Sequence, residues 1–297
     1  MKPGFVTPDT RVLIQGATGR AGRRHAVLMR NYGTNVVAGV SPSSTEPIEG
    51  IPVFGSCAEA VAQTGATATV VIVRPLEVLG AVKEALAAGL DLIVTVAEGV
   101  PVADSIAALE LVRDADATWI GPSTPGIAIP GRLKMGFLPS VSLLPGPLGL
   151  MSKSGTLSYE IGYRLAGRGV GTSLWIGVGG DMVKGTRFAD LIPVFEEDPD
   201  TEAMLLIGEV GGTEEEDFAK AYRDHGAKKP VYAIVAGAQT REGIAMGHAG
   251  ALVHGASGTI EAKTAALSGV GAQVFTRIRD FVDAVGADFG KPRLRSV

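Results

Sequence analysis

Cysteine is almost missing from this sequence: among 297 residues, Cys57 is the single one. One thiol cannot form a disulfide within the chain, and sparing use of cysteine is typical of a reducing compartment. The first residues, Met1 to Phe5, also lack the apolar core of a secretory signal peptide. We therefore expect a cytoplasmic protein of the bacterial type, in which Cys57 begins a helix and packs in the interior.

Long apolar runs and clusters of basic residues are missing as well. No apolar stretch reaches the roughly 20 residues that a membrane-spanning helix needs, so we expect no membrane contact. The formal net charge is −4, and lysine and arginine form no block along the chain. Both features argue against a nucleic-acid partner. We also predict no metal site on this chain.

What the sequence does contain is a regular alternation of strand and helix patterns. Hydrophobic residues make up 46% and charged residues 20% of the chain. The strands predicted at 11–15, 68–73 and 203–208 are apolar runs, as found in parallel sheets whose two faces are both covered. Because amphipathic helices follow these strands, we predict an α/β protein with doubly wound parallel sheets.

Two clusters of proline and glycine mark a boundary in the chain. The length of 297 residues favours two domains over one. Regular structure should end at 121–126 and again at 143–147, where proline and glycine are dense. We therefore divide the chain into an N-terminal domain at 1–126, a linker at 127–147 and a C-terminal domain at 148–297.

A glycine-rich turn, GATGRAG at 16–22, lies between the first predicted strand and the first helix. Free backbone N–H groups and the helix dipole at such a turn favour a phosphate, which points to a nucleotide-like ligand. The loop after the second strand, SPSS at 41–44, has neither an acidic residue for the ribose of NAD nor an arginine for NADP. A nicotinamide cofactor is therefore disfavoured.

In the C-terminal domain, four segments follow predicted strands and should meet at one edge of the sheet. They are SGT at 154–156, GGD at 179–181, Glu209, and the loop GIAMGHAGA at 243–251. The first opens a helix and is equally consistent with phosphate binding and with plain helix capping. The loop around His248, taken alone, is more typical of a chain turn than of a nucleophile. Glu209 beside it would hold one ring nitrogen as N–H and leave the other nucleophilic, which suggests phosphoryl transfer.

Helices are predicted at 186–195 and at 214–225, and the acidic run at 214–217 opens the second of them. Negative charges are favourable at a helix N-terminus, and Thr213 with Glu216 three residues later has the spacing of a capping box. We interpret the run as an ordinary charged helix start.

Four motifs occur in a fixed order along the chain. They are GP and PG at the ends of 121–126, SKSGTLSYE at 152–160, GEVGG at 208–212 and MGHAGA at 246–251. Together they resemble the α subunit of succinyl-CoA synthetase, the ADP- or GDP-forming succinate–CoA ligase, over nearly the whole length. The resemblance implies a Rossmann-like CoA-binding domain followed by a flavodoxin-like ligase domain that carries a phosphohistidine.

The resemblance also implies roles for individual residues. His248 is implied to be phosphorylated, and Glu209 to be the carboxylate that orients it. The residues implied to contact CoA are Thr18, Gly19, Arg20, Ala21, Ser44, Val96, Ala97 and Glu98, and those implied near substrate and phosphate are Tyr159, Ser154, Gly155 and Thr156. CoA and a small carboxylic acid are the implied substrates. ATP or GTP with Mg²⁺ is implied to bind an ATP-grasp site on a separate β subunit.

Departures from the family pattern bear on the substrate. Ser44 stands where the family has a lysine that contacts CoA, and Arg20, Arg23 or Arg24 is a candidate source of the missing charge. GDM at 180–182 replaces the family's Gly-Asp-Pro. We therefore keep two alternatives beside succinate ligation: a ligase for a related acid such as malate, and a CoA-binding paralogue without ligase activity.

Overall fold

The computed structural model describes residues 3–237 and 258–290, and the N-terminal part of these forms a parallel sheet flanked by helices. Its elements are β1 (Val12–Gln15), α1 (Arg20–Tyr32), β2 (Val36–Val40), β3 (Val53–Phe54), α2 (Cys57–Thr64), β4 (Ala68–Val71), α3 (Val78–Ala87), β5 (Leu92–Thr95), α4 (Val102–Asp114) and β6 (Thr118–Ile120). The strand order is β3-β2-β1-β4-β5-β6, and neighbouring strands run parallel. This is the order of the dinucleotide-binding fold, so the predicted Rossmann-like architecture is confirmed.

A second sheet follows in the chain. Its elements are β7 (Gly126–Ile129), β8 (Leu133–Gly136), β9 (Pro145–Ser152), α5 (Gly155–Ala166), β10 (Thr172–Gly177), α6 (Ile192–Glu197), β11 (Ala203–Glu209), α7 (Glu214–His225), β12 (Val231–Ala236), α8 (Ile260–Ser268), β13 (Gln273–Phe275) and α9 (Ile278–Phe289). The strand order is β13-β12-β11-β9-β10-β7-β8. From β10 to β13 the strands are parallel and follow the flavodoxin-like order, as predicted.

Alternate residues of the buried strands belong to different layers of the core. All four residues of β1 are buried. Val12 and Ile14 pack into one apolar cluster, whereas Leu13 between them packs into another. Because successive side chains of a strand point to opposite faces, a sheet covered on both sides requires an unbroken apolar run, and that is why these strands could be recognised in the sequence.

The segment between the two sheets, for which the sequence predicts only a linker at 127–147, contains a β-hairpin. β7 pairs antiparallel with β10, and β8 pairs antiparallel with β7, so the hairpin extends the second sheet. Thr34, just after α1, donates its hydroxyl to the backbone oxygen of Lys134 at 2.7 Å. The Lys134 ammonium is buried and donates to the oxygen of Leu138 at 3.2 Å. Because the buried Lys134 interrupts the apolar pattern of β8, this strand was not predicted from the sequence.

Three smaller expectations can be compared with the structure. Cys57 begins α2 and is fully buried, as predicted, and burial together with Glu84 raises the pKa of its thiol to about 12. The helix predicted at 186–195 starts as a 3₁₀ turn at Phe188–Leu191 and continues as α6. Of the helices in the described ranges, none combines the length and the apolar character that crossing a membrane requires.

Candidate functional site

The glycine-rich turn between β1 and α1 packs closely against the backbone of the first sheet. Gly16 has a φ of +75°, and a Cβ atom there would lie 2.3 Å from the carbonyl oxygen of Ile72. At Gly22 a Cβ atom would lie 2.1 Å from the oxygen of Gly16, so only glycine lets α1 start this close to the turn. Gly19 is the N-cap of α1, and no side chain caps the helix. The first N–H groups of α1 therefore lack a side-chain acceptor, as is usual where a helix start binds a phosphate.

The structure joins two of the three predicted CoA-binding segments. The hydroxyl oxygens of Thr18 and Ser41 lie 2.7 Å apart, so the turn at 18–21 touches the loop at 41–44. The third segment, at 96–98, follows β5, which is separated from β1 by β4. Its Ala97 oxygen instead accepts the backbone N–H of Ser123 at 2.8 Å. The exposed members of the predicted set are Gly19, Arg20, Ala21 and Glu98, and the partly buried ones are Thr18, Ser44, Val96 and Ala97.

The predicted segments of the second sheet lie at the carboxyl ends of neighbouring parallel strands. Ser154 follows β9, Gly180 follows β10, and Glu209 is the last residue of β11. In the sheet, β9 lies between β10 and β11, and β12 lies on the other side of β11. The strand that leads toward the predicted His248 loop is therefore the direct neighbour of the strand that ends at Glu209.

His248 itself lies outside the described residues, and the structure describes the residues on either side of its segment. Ala236, at the end of β12, is the register partner of Glu209, and its oxygen accepts the N–H of Val210 at 3.0 Å. On the far side, the oxygen of Gly258 accepts the N–H of Gly211 at 2.8 Å. The two residues that directly follow Glu209 are therefore bonded to the residues on either side of the segment that contains position 248.

The start of α5 resolves one alternative that the sequence leaves open. The hydroxyl of Ser154 accepts the N–H of Leu157 at 3.3 Å, so this residue caps the helix. Gly155 and Tyr159 are partly buried, and Thr156 is exposed. Burial raises the pKa of the Tyr159 phenol to about 12, so this side chain is a neutral hydrogen-bonding group. Helix capping by Ser154 is therefore confirmed.

A cavity of about 250 Å³ opens beside Glu209. Its walls are formed by Lys153, Gly180, Asp181, Met182, Lys184, Arg187, Glu209, Gly211, Gly212, Thr213 and Glu214. The ammonium of Lys184 donates to the oxygen of Gly179 at 2.6 Å and to Glu214 at 3.0 Å. Glu214 also accepts the N–H of Phe188 at 3.2 Å. The cavity is thus small, highly charged, and placed between the ends of β9, β10 and β11.

A second carboxylate, Glu215, joins this cavity to the helix that follows the His248 segment. Glu215 is completely buried, and it accepts the N–H of Glu209 at 3.1 Å. The ammonium of Lys153 lies 2.8 Å from it, and the ammonium of Lys263 on α8 donates to it. Lys263 is also fully buried and donates to the oxygen of Gly212 at 2.9 Å. We call Lys153, Lys184, Glu214, Glu215 and Lys263 the buried charge cluster.

Charges within the cluster shift the protonation of its members. Burial by itself favours a neutral Glu215, but the ammonium groups of Lys153 and Lys263 outweigh it and hold the pKa of Glu215 below its ordinary value of 4.5. Burial also opposes the charge of Lys153, yet Glu215 and Glu214 raise its pKa. Lys184 differs because burial dominates there and Lys153 repels it, so its pKa is lowered despite Glu214.

Sequence reasoning missed this cluster. The prediction that 214–217 is a charged helix start is confirmed, but it did not anticipate that Glu214 and Glu215 are buried. The predicted capping box is also absent, because the Thr213 hydroxyl bonds Asp217 at 3.1 Å and makes no cap. The available signal was the lysine of the SKSG motif, since a lysine directly after a buried strand requires an acidic partner.

Two family models match the chain. The model described as a CoA binding domain matches residues 7–99, which include the glycine-rich turn and Glu98. The model described as CoA-ligase matches residues 151–273, which include Glu209 and the buried charge cluster. Each model therefore covers the carboxyl edge of one of the two sheets.

Several sequence relatives match over most of their length. The chain is 44% identical over 273 residues to the succinate–CoA ligase [ADP-forming] subunit alpha of Aquifex aeolicus, which covers 91% of this chain and 89% of that protein. It is 43% identical over 282 residues to subunit alpha 1 of the same ligase from Archaeoglobus fulgidus, with coverage of 95% and 96%. The subunit alpha of Staphylococcus aureus is 37% identical over 268 residues, with coverage of 90% and 88%.

Solved structures share the fold at lower identity. ATP citrate lyase from Methanothrix soehngenii, in complex with citrate and coenzyme A, matches with a TM-score of 0.85 at 23% identity, covering 95% of this chain and 50% of that one. The dinucleotide-forming acetyl-coenzyme A synthetase 1 of Ca. Korarchaeum cryptofilum has a TM-score of 0.76 at 19% identity, with coverage of 93% and 60%. The chain therefore spans about half the length of the lyase. Because the succinate–CoA ligase relatives are far more similar and match nearly end to end, the chain belongs to the family of the alpha subunits of ADP-forming succinate–CoA ligase.

Proposed function

We propose that this chain is the α subunit of a nucleotide-dependent carboxylate–CoA ligase, in which His248 carries a phosphoryl group between the nucleotide and the acid. With a β subunit it forms an acyl-CoA from a small acid and CoA. The observation that carries the proposal is the pair of hydrogen bonds from Val210 and Gly211 to Ala236 and Gly258. These bonds anchor both ends of the His248 segment directly after Glu209.

The proposed first step loads the histidine. ATP or GTP with Mg²⁺, held in an ATP-grasp site of the β subunit, supplies the terminal phosphoryl group. A neutral ring nitrogen of His248 forms the P–N bond as the nucleoside diphosphate leaves. Glu209 accepts the N–H of the other ring nitrogen and balances the charge that the ring gains. The buried hydrogen bond from the backbone N–H of Glu209 to the Glu215 carboxylate holds the backbone of Glu209 in place.

The proposed second and third steps use the acid and CoA. The carboxylate of the acid takes the phosphoryl group, so that the P–N bond breaks and an acyl phosphate forms. The CoA sulfur then attacks the acyl carbon, and phosphate leaves. We propose that the start of α5, at Ser154, Gly155 and Thr156, stabilises the phosphoryl group with its N–H groups, and that Tyr159 lies next to the acid.

We propose that residues 1–126 bind CoA, that 127–147, which contain most of the hairpin of β7 and β8, join the two domains, and that 148–297 carry the phosphohistidine. The close turn at Gly16 and Gly22 and the uncapped start of α1 support CoA binding through Thr18, Gly19, Arg20 and Ala21. Ser44 belongs to the loop that touches this turn, and Val96, Ala97 and Glu98 form the second proposed CoA contact. Succinate is the acid favoured by the family, and malate is the alternative.

Phosphoryl transfer tests the proposal directly. The chain is co-expressed with its β subunit, and the purified complex is incubated with ATP labelled in the γ-phosphate. We expect acid-labile label on the α chain at His248, and discharge of the label when CoA and the correct acid are added. A panel of succinate, malate and other small acids identifies the substrate. Binding of CoA without any labelling would instead indicate a CoA-binding paralogue and would contradict the proposal.

A separate prediction concerns the glycine-rich turn. Gly22→Ala should abolish CoA binding and destabilise the protein by about 1–3 kcal/mol, because the added methyl group must push α1 away from the oxygen of Gly16. Calorimetric titration with CoA and urea denaturation measure the two effects. In the matched control Gly80→Ala, an added Cβ within α3 meets nothing within 4 Å, so CoA binding should persist and stability should rise. Normal CoA affinity in Gly22→Ala would show that the turn is not part of the CoA site.

A further inference from the structure

The loop after β10, residues 179–187, separates two cavities. One is the cavity of about 250 Å³ beside Glu209. The other, of about 260 Å³, is lined by Glu98, Gly99, Val100, Val102, Ser105, Asp181, Met182 and Val183. Asp181 and Met182 belong to the walls of both. The loop therefore stands between the proposed CoA contact at Glu98 and the carboxylate of Glu209.

Hydrogen bonds from the C-terminal part of this loop connect it to both sheets. The N–H of Gly185 donates to the oxygen of Gly121 at 2.9 Å, and the Thr186 hydroxyl donates to the oxygen of Trp119 at 2.8 Å. These bonds fasten the loop to the end of β6 in the first sheet. The ammonium of Lys184 binds Glu214, which fastens the loop to the second sheet. Because the anchors lie on both sheets, the loop has a defined place between them.

Close approaches of the backbone support the same conclusion. A Cβ atom on Gly185 would lie 2.2 Å from the oxygen of Trp119, and one on Gly179 would lie 2.2 Å from the oxygen of Pro122. Gly179 also has a φ of +92°. Glycine at both positions thus permits a close approach between the loop and the backbone at 119–122, which a larger residue would prevent.

Met182 is the exposed apolar side chain of this loop. It is 53% exposed, and Val102 on the opposite wall of the second cavity is 51% exposed. An unbranched, polarisable methionine adapts to flexible ligands better than a β-branched residue does. Isolated apolar residues on a surface need no explanation, but these two face one cavity between two proposed functional segments.

We propose that Met182 contacts the pantetheine arm of CoA near its thiol and is a specificity-determining residue for thioester formation. The inference rests on the proposed function. The arm is an unbranched chain of methylene and amide groups, and its path from Glu98 to Glu209 leads past Met182. Val100 and Val102 supply apolar contacts on the opposite wall. Phosphorylation of His248 by the β subunit does not require CoA, so a change at Met182 should affect mainly the half-reaction that uses CoA.

The test measures the two half-reactions separately on the complex with the β subunit. Met182→Trp should lower the rate at which CoA and the acid discharge the labelled histidine by roughly tenfold to a hundredfold, with a raised KM for CoA. Labelling by ATP should fall much less than discharge, because only discharge uses CoA, although Met182 also lines the cavity beside Glu209. Met182→Leu, which keeps the size and apolar character, should retain both rates. Val141→Trp is the matched control, since Val141 is 69% exposed and lines neither cavity.

Each other outcome overturns the proposal. Equal loss of both half-reactions would show a general structural effect, and no change in either would show that CoA does not pass Met182. Loss of the complex in size-exclusion chromatography would assign Met182 to the interface with the β subunit. Absence of label in the unsubstituted complex would contradict the proposed function itself, and the two failures are therefore distinct.

Discussion

Replacing His248 with asparagine should abolish both labelling of the α chain and acyl-CoA formation. The loss should be at least about a thousandfold, because asparagine has no nucleophilic ring nitrogen and no other step can load the acid. Labelling with γ-phosphate-labelled ATP and a coupled assay of thioester formation measure the two losses. CoA binding should be unchanged, since the proposed CoA contacts lie on the first sheet.

The matched control for this prediction is His225→Asn. His225 is the last residue of α7 and is exposed, so its removal should leave labelling and turnover intact. Label that persists in His248→Asn and disappears in His225→Asn would show that His225, and not His248, carries the phosphoryl group. Persistence in both would refute a histidine carrier at position 248 altogether.

Replacing Lys263 with methionine should cost about 3–5 kcal/mol of unfolding free energy. The ammonium of Lys263 is fully buried and contacts Glu215, Glu216 and the oxygen of Gly212. Its removal leaves the buried carboxylate of Glu215 with Lys153 as its remaining cation in the described structure. Urea denaturation followed by circular dichroism measures the change. The same bonds join α8 to the turn after Glu209, so labelling of His248 should also slow.

Two variants make this result interpretable. Lys220→Met removes an exposed lysine that pairs with Asp224 on α7, and the denaturation midpoint should stay unchanged because surface pairs contribute little. The double substitution Lys263→Met with Glu215→Gln should be less destabilised than Lys263→Met alone, since the buried carboxylate is then gone and Lys153 keeps Glu214, 3.7 Å away, as its partner. A single variant as stable as the unsubstituted protein would show that the cluster contributes nothing.

The pH dependence of the unfolding free energy independently tests how much the buried charge cluster stabilises the protein. The pKa of Glu215 in the folded protein lies below its ordinary value of 4.5. Its stabilisation is therefore fully present above pH 4.5 and is lost as the pH falls through the lower, folded value. In Lys263→Met this acid-induced loss should be smaller and should be complete at a higher pH, because one of the two cations that lower the folded pKa of Glu215 is gone.

Much of the fold could be predicted because local patterns determine it. The apolar run of β1 has buried residues on both faces, and such runs identify a covered parallel sheet. The turn at 16–22 combines glycines whose Cβ atoms would collide with the backbone, so its sequence reflects its geometry. The helix at Glu214–His225 was predicted with the bounds that the structure has. These features depend on neighbours in the chain.

The candidate site could be predicted only in part, for the same reason. Glu209 was recognised because it ends an apolar strand and belongs to a motif. Lys184 lies in an irregular loop and offers no periodic pattern, and its partner Glu214 is 30 residues away. The β-hairpin of β7 and β8 was missed because the buried Lys134 resembles a surface residue until its acceptors at Leu138 and Ser140 are known.

By itself, the sequence determined the parallel strands of the two sheets and a tight glycine turn at the start of α1, and it contains His248 in the segment after β12, the strand beside the one that ends at Glu209. Tertiary structure alone decided that Glu215 and Lys263, 48 residues apart, form a fully buried pair, and that Met182 lies on the wall of two cavities. The physical reason is that burial of a charge is tolerated only beside an opposite charge. Which distant residues become neighbours is settled by the packing of the sheets.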